Sequence, residues 1–460
     1  MLPDDVLLEI FDFYVVEAME YYPEEHHLKH KWEAWQTLVH VYRRWRSVVF
    51  GSPCRLDLRL FCTTKTTTDT LDIWPVLPLV IEDGNCQNED MGNIIALLER
   101  RDVIPRVTLI TLFHVHLEDI LEVMEVPFPE LTYLSLRHSH DETVPVIPDS
   151  FLGGSVPQLE YLNLDNIPFP GLPELLSSST HLICLFLSNI PHSGYISPDA
   201  MLACLPLLTS LERLSLRFQS PQSRPDRESR RPPPSTRTVL PVLTHFAFKG
   251  DSEYLEALVA RIDAPQLDFF RITFFNDVVF DAPQITRLIS DMPTFNAFDE
   301  ASVFLGGTVA SIKLSSKASS NRELQVKILC RELDWQVSFL EQVYTSSLFP
   351  LFTLEDLYID EYRYRKPVWE DNIDNTLWLE LLHLFTTVRN LFLSEKIASR
   401  VVPALQELVG GRTIEVLPTL QNAFIEGLQP SGPVQESLGK FVAARQLTGH
   451  PIAVYPWDRE

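Results

Sequence analysis

Two stretches decide the architecture: Leu131-Thr132-Tyr133-Leu134-Ser135-Leu136-Arg137 and Leu159-Glu160-Tyr161-Leu162-Asn163-Leu164-Asp165. Both spell L-x-x-L-x-L, and the same pattern, with large apolar substitutes, returns along the chain. It reads Val107/Ile110/Leu112, Leu182/Leu185/Leu187, Leu211/Leu214/Leu216, Leu243/Phe246/Phe248 and Leu267/Phe270/Ile272. Further on it reads Leu354/Leu357/Ile359 and Val388/Leu391/Leu393. The first seven occurrences start 24, 28, 23, 29, 32 and 24 residues apart. The last two apolar residues of each occurrence alternate with residues expected to be exposed, as a strand with one buried face requires. A single such strand cannot bury its apolar face alone, whereas stacked copies share one core.

The intervals lie at or just above the length of a leucine-rich repeat, roughly 20–29 residues. The expected fold is therefore α/β: a short α-helical head followed by an irregular leucine-rich-repeat solenoid, or horseshoe. Segments between strands, such as Gly171-Leu172-Pro173-Glu174-Leu175-Leu176, are expected as short helices or turns on the convex side. Residues 295–340 are less regular, with Phe295–Phe298 one candidate strand. A helix near Val434–Arg445 and a strand near Ile452–Tyr455 are expected to close the array. Ser220–Thr238 contains Arg224-Pro225-Asp226-Arg227-Glu228-Ser229-Arg230-Arg231-Pro232-Pro233-Pro234 and almost no apolar residues, so it is expected as a disordered insertion. The domain reading is 1–60 helical head, 61–105 connector with a first irregular repeat, and 106–460 repeats.

The head announces itself chemically. In Leu2-Pro3-Asp4-Asp5-Val6-Leu7-Leu8-Glu9-Ile10-Phe11, Pro3 suits a first helical position and the two aspartates suit the positive end of the helix dipole. Val6, Leu7, Ile10, Phe11 and Tyr14 share an apolar face. A second helix is expected from about Ala34 to Phe50, with Leu38, Val41, Tyr42, Trp45 and Val48 or Val49 on one face and Arg43, Arg44, Arg46 and Ser47 on the other. Gly51-Ser52-Pro53 ends it.

These two helices resemble an F-box, in particular the F-box-like proteins abundant in mushroom-forming fungi. The matching residues are Leu2–Phe11 and Leu38-Val39-His40-Val41-Tyr42-Arg43-Arg44-Trp45-Arg46-Ser47-Val48-Val49-Phe50-Gly51-Ser52-Pro53. An insertion, roughly Asp12 to Trp35, separates the helices, and Tyr42 stands where the family usually has Cys. The resemblance implies docking on a Skp-type adaptor, and through it a cullin ubiquitin ligase. By motif position, Leu2, Pro3, Val6, Leu7, Ile10, Leu38, Val41 and Trp45 would contact the adaptor or hold the head together. The alternative is a leucine-rich-repeat scaffold with no ligase link, its head only an N-terminal cap.

The outward residues of the repeat strands form a candidate recognition surface on the expected concave face: Tyr133, Arg137, Tyr161, Asp165, Phe186, Arg213, Arg217, Phe269, Arg271 and Tyr358. Ser135, Asn163, His245, Lys249, Asp356, Asp360 and Phe392 accompany them. Aromatic and arginine side chains are what protein interfaces enrich. The bland alternative is an ordinary solvated sheet face.

Composition sets limits. The 460 residues carry 62 acids against 38 bases, a net charge of -24. Such a field repels phosphate backbones, so no nucleic-acid partner is expected. Six scattered cysteines, with no C-x-x-C pair, match reduced, intracellular usage, cytoplasmic or nuclear. No signal peptide and no apolar run of membrane-spanning length is apparent, so no membrane partner is expected. His26, His27 and His30 with Glu24 and Glu25 lack an H-E-x-x-H pattern and a distant third ligand, so no metal is expected there. No phosphate loop, dinucleotide fingerprint or nucleophile elbow occurs. The expectation is a non-enzyme without cofactor.

Overall fold

A computed structural model describes residues 2–16, 34–53, 55–66, 68–83, 91–113, 117–138, 145–221, 237–275, 282–345, 353–361, 374–408, 410–429 and 431–458. Residues 222–236 of the expected insertion, the His26–His30 segment, Cys54 and Cys86 lie outside the described residues. The chain divides into two compact units, Met1–Ile196 with Leu207–Leu211, and Ser197–Pro206 with Glu212–Glu460.

Among the described residues the first unit begins with helices α1 (Asp4–Val16), α2 (Ala34–Val41) and α3 (Arg43–Gly51). The single helix expected over 34–50 is thus two. Tyr42 is extended (φ -156°, ψ 146°) and breaks the helix. Its carbonyl accepts from the Arg46 amide at 3.1 Å to start α3, while the Arg46 side chain donates to the Val39 carbonyl at the end of α2, 3.2 Å away. That bond satisfies one of the orphan carbonyls a helix end leaves.

Six strands follow: β1 (Leu60–Cys62), β2 (Leu79–Glu82), β3 (Val107–Phe113), β4 (Tyr133–Arg137), β5 (Tyr161–Asp165) and β6 (Cys184–Ile190). Each pairs in parallel with the next. The register places like on like: Leu134 opposite Leu162, Leu136 opposite Leu164, then Leu185 and Leu187. All of these are buried. The hydroxyls of Thr108 and Thr132 each donate to a backbone carbonyl of the preceding repeat, Leu79 and Thr108 respectively, both at 3.1 Å.

In the second unit lie β7 (Arg213–Phe218), β8 (Thr238–Val239), β9 (His245–Gly250), β10 (Ile262–Asp263), β11 (Phe269–Phe274), β12 (Glu300–Leu305), β13 (Ala310–Ser316), β14 (Ser319–Ile328), β15 (Asp356–Glu361), β16 (Asn390–Leu393), β17 (Asn422–Glu426) and β18 (Ala453–Trp457). The pairing order is β7-β9-β11-β14-β13-β12-β15-β16-β17-β18, with β8 and β10 paired apart. All main-sheet contacts are parallel except the β12–β13–β14 meander, which is antiparallel. This meander is the irregular region of the sequence. Phe295–Phe298 is not a strand: Pro293–Asn296 forms a 3-10 turn, and both phenylalanines are buried beside each other, ring centres 5.8 Å apart.

Short helices alternate with the parallel strands. Pro283–Ser290 illustrates their logic: Ile285, Leu288 and Ile289 fall on one buried face. Its first amides, at Gln284 and Ile285, donate to the Glu256 carboxylate at 3.0 and 2.8 Å, so the previous repeat caps it. At the C-terminal end, Pro433–Leu447 and β18 stand where a closing helix and strand are expected. The buried Arg445 donates there to the carbonyls of Thr413, Leu417 and Leu420 at 2.9, 3.3 and 3.3 Å. Each unit is a mixed α/β array consistent with a leucine-rich-repeat solenoid.

Where β5 and β6 end, Asn166 (φ 59°) and Asn189 (φ 50°) take the left-handed conformation. Asparagine tolerates it better than most residues, because its amide bonds locally. Replacing Asn166 by Val is expected to destabilise the protein by about 1–2 kcal/mol more than replacing it by Gly, which reaches this conformation without strain. Urea unfolding of the two variants checks this; equal losses would show that the backbone conformation is not what Asn166 supplies.

Candidate functional site

Because side chains alternate along a strand, burying one set leaves the other on the opposite face, and the in-register pairing sorts that set into rows. In the first unit one row brings Tyr133 and Tyr161 together, and Phe186, from the adjacent row, reaches Tyr161 diagonally. The tyrosine rings stack at 4.0 Å, 5° from parallel, and Phe186 lies 5.5 Å from Tyr161. Tyr133 also packs on a buried apolar cluster of Phe61, Val80 and Leu109. The next row holds Ser135 and Asn163, bonded at 3.0 Å, and then Phe186. In the third, Arg137 and Asp165 pair at 3.0 Å, and Asn189 donates to the other Asp165 oxygen at 2.7 Å. Asp165 is therefore already committed within the protein, and Arg137 additionally covers the Phe113 ring.

The outward rows of the second unit hold Arg213, Arg217, Phe269, Arg271 and Tyr358, in two distinct settings. Across β7, β9, β11, β14 and β13 the surface is cationic. His245 stacks on Phe269 at 5.3 Å, and Arg271 lies over the same ring at 4.8 Å. Burial and the charge of Arg213 lower the His245 pKa. Glu323 bridges Arg271 at 3.0 Å and Lys313 at 2.9 Å. Burial raises the Glu323 pKa, but the hydrogen bonds and charges of those two cations outweigh it and hold the carboxyl below its ordinary value. Lys249 and Lys327 are both depressed, chiefly by burial and then by cationic neighbours: Arg217 for Lys249, and Arg271 foremost for Lys327.

Across β15–β18 the surface becomes aromatic. Tyr358, Phe392, Phe424 and Tyr455 form a continuous stack with successive ring separations of 4.3, 4.5 and 5.3 Å. Trp457 lies 5.5 Å from Phe392. Beside the stack runs a polar ladder: Lys317 on Asp356 at 2.6 Å, Asn390 donating to Asp356 at 2.7 Å and Asn422 donating to Asn390 at 2.7 Å. Burial, with Asp356 and Glu300 nearby, pushes the Tyr358 hydroxyl up to about 12.

Sequence reasoning missed Lys313, Glu323, Lys327, Phe424, Tyr455 and Trp457. The strict alternation of Glu323-Leu324-Gln325-Val326-Lys327-Ile328 was the available signal for the first group. For β17 the core positions are Ala423 and Ile425, and a small residue in place of leucine hides the pattern.

The head divides its predicted residues. Leu7 and Leu38 are buried, and Phe11 packs edge-on against Trp45 at 5.0 Å. Trp35 is buried against Phe50 and Trp74, ring centres 5.9 and 5.4 Å away, and its indole donates to the Arg59 carbonyl at 3.0 Å. Pro3 is exposed. Leu2, Val6, Ile10, Val41 and Tyr42 are left 38–58% exposed. The first three are spaced i, i+4, i+8 and form one stripe. Arg44 ties the start of α1 to α3, donating to Asp4 at 2.9 Å and to the Leu2 carbonyl at 2.6 Å.

Among the described residues no cluster of three His, Cys, Asp or Glu side chains could hold a metal, and no helix is long and apolar enough to cross a membrane. Cys62, Cys184, Cys204 and Cys330 are buried. Burial pushes Cys62 up to about 12 and Cys204 and Cys330 to about 11. One cavity, in the first unit, is lined by Leu164, Ile167, Phe169, Leu172, Leu187, Ile190, Gly194 and Ile196.

The sequence matches no family model and no curated protein. Among solved structures, the leucine-rich repeat-containing protein LegL7 from Legionella pneumophila aligns over 70% of this chain and 93% of its own, with 12% identity and a TM-score of 0.28.

The depressed Glu323 has a sign that can be checked. Its stabilising effect is fully present above the unfolded value near 4.5 and is lost as pH falls through the lower folded value. Glu323→Gln is expected to cost about 1–3 kcal/mol at pH 7. That difference should shrink below pH 4.5. A urea-unfolding series across pH measures it, and a difference that stays constant down to acid pH would rule out the charge as its source.

Proposed function

We infer that this chain is a substrate-recognition subunit of a Skp–cullin–F-box ubiquitin ligase. The head docks the adaptor and the repeats hold a protein substrate. In this reading the chemistry resides on partner proteins, so the chain itself needs neither catalytic residue nor cofactor, and it works inside the cell. The observation that carries the reading is the exposed stripe of Leu2, Val6 and Ile10, with Val41 and Tyr42 also exposed. Side chains of this kind contribute roughly 1.5–3 kcal/mol each when taken fully out of water. Five of them, about half exposed, therefore supply a gross gain sufficient for docking once association costs are met. Leu7, Leu38 and Trp45 then serve to hold the head in shape, and Leu2, Val6, Ile10 and Val41 to meet the adaptor.

A second reading has its own observation. The Trp35–Phe50–Trp74 cluster seats the head on the first repeats, as a cap for the array would require. The two roles use different sides of the same helices, and a capped scaffold would need only the buried one.

Capture of the full chain by the cognate Skp-type adaptor distinguishes them. The natural chain is expected to bind, and Val6→Asp with Ile10→Asp to lose at least tenfold in affinity while unfolding at an unchanged temperature, since both positions are exposed. A folded natural chain that is not captured would leave the capped scaffold.

A further inference from the structure

In a chain with 62 acids and 38 bases, the outward positions of β7, β9, β11, β14 and β13 reverse the balance. They carry Arg213, Arg217, Lys249, Arg271, Lys327 and Lys313 against the single carboxylate Glu323. Glu212 and Asp268 sit at the near ends of β7 and β11, beside His245. The far ends, at Arg217, Lys249 and Lys327, are therefore the most positive. Burial, and after it the cations beside them, lowers the pKa of both Lys249 and Lys327.

The middle outward row then changes character without a break in register. Arg271 lies opposite Gln325, Gln325 opposite Lys313, Lys313 opposite Ser302, and Ser302 opposite Tyr358. Phe392, Phe424 and Tyr455 continue it. One row thus runs from guanidinium and ammonium groups, past the small Ser302, onto a stack of rings. With strands about 4.8 Å apart, the eight strands from β11 to β18 span roughly 34 Å. An extended peptide covers that with about ten residues.

We propose that this row, together with the adjoining row of Arg217, Lys249 and Lys327 at its cationic end, is a binding track for an extended segment of a partner protein, with acidic residues on the Lys249–Arg271–Lys327 side and apolar residues on the Tyr358–Phe392–Phe424–Tyr455 side. The occupant is a peptide rather than a nucleic acid for two reasons. The overall charge of -24 repels a long polyanion beyond the local patch. And the rings stack on one another at 4.3 and 4.5 Å, so their faces are occupied and they offer edges, which suit aliphatic side chains better than bases. The carboxylates of the segment join a site where Glu323 already shows that two cations can share one anion. This deepens the reading of the repeats as the substrate-holding body and does not depend on whether the head docks an adaptor.

The test uses the full chain and fluorescently labelled peptides. One has five glutamates followed by three leucine–serine pairs, a second replaces the glutamates by lysines, and a third probe is oligothymidine of matching length. The acidic peptide is expected to bind, and the lysine peptide and the oligonucleotide to bind at least tenfold more weakly. Lys249→Glu with Lys327→Glu should weaken the acidic peptide at least tenfold, Tyr455→Ala severalfold, and Glu323→Gln should tighten it, because Arg271 and Lys313 lose their internal anion. Circular dichroism and thermal unfolding establish that each variant is folded. An acidic peptide that does not bind, binding insensitive to the lysine reversals in a folded variant, or a stronger oligonucleotide would overturn the proposal. Adaptor capture is measured on the same samples: its loss with peptide binding intact counts against the ligase reading alone, and the converse against the track alone.

Discussion

The in-register parallel ladder is the constraint on which everything else depends. Each repeat strand is short and cannot bury its apolar side unaided, so Leu134, Leu162 and Leu185 in the first unit, and Phe246, Phe270 and Leu324 in the second, are held only by their neighbours. The same pairing that aligns the buried residues aligns the outward ones. Tyrosine stacks on tyrosine, asparagine bonds to asparagine, and chemistry that would be scattered on an isolated strand is gathered into rows whose successive members are about 4.8 Å apart. The outward rows in such a fold are a by-product of the rule that builds the core.

The antiparallel meander β12–β13–β14 departs from that rule and has a consequence for chemistry. It brings Lys313 and Glu323 beside Arg271, which a plain continuation of parallel repeats from β11 would not do. It also places Ser302, a small residue, between the cationic and aromatic stretches. The polarity step along the second unit therefore falls where the repeat pattern is interrupted.

The head shows the same economy with side chains. α1, α2 and α3 spend Leu7, Phe11, Trp35 and Leu38 on their own packing and on the first repeats, and leave Leu2, Val6 and Ile10 outside. Exposed apolar stripes of this kind are costly to keep unless something covers them. Cap and docking surface are thus compatible uses of one small helical body, because a helix has more than one face.

Periodicity by itself determined the repeat strands, from Leu131–Arg137 to Val388–Leu393, together with the outward placement of Tyr133, Tyr161, Arg271 and Tyr358. The reason is local: alternation along a strand assigns each residue a face without reference to any partner. The closing helix and strand were legible for the same reason. Tertiary structure alone decided the break of the second helix at Tyr42, where an extended residue and the Arg46–Val39 bond replace helical continuation. It alone decided that Asp165 is spent on Arg137 and Asn189, that Leu7 and Leu38 are buried while Val6 and Ile10 are not, and that Lys313 reaches Glu323. Those outcomes depend on which strands and helices become neighbours. That is set by long-range packing, which no pattern within one repeat encodes.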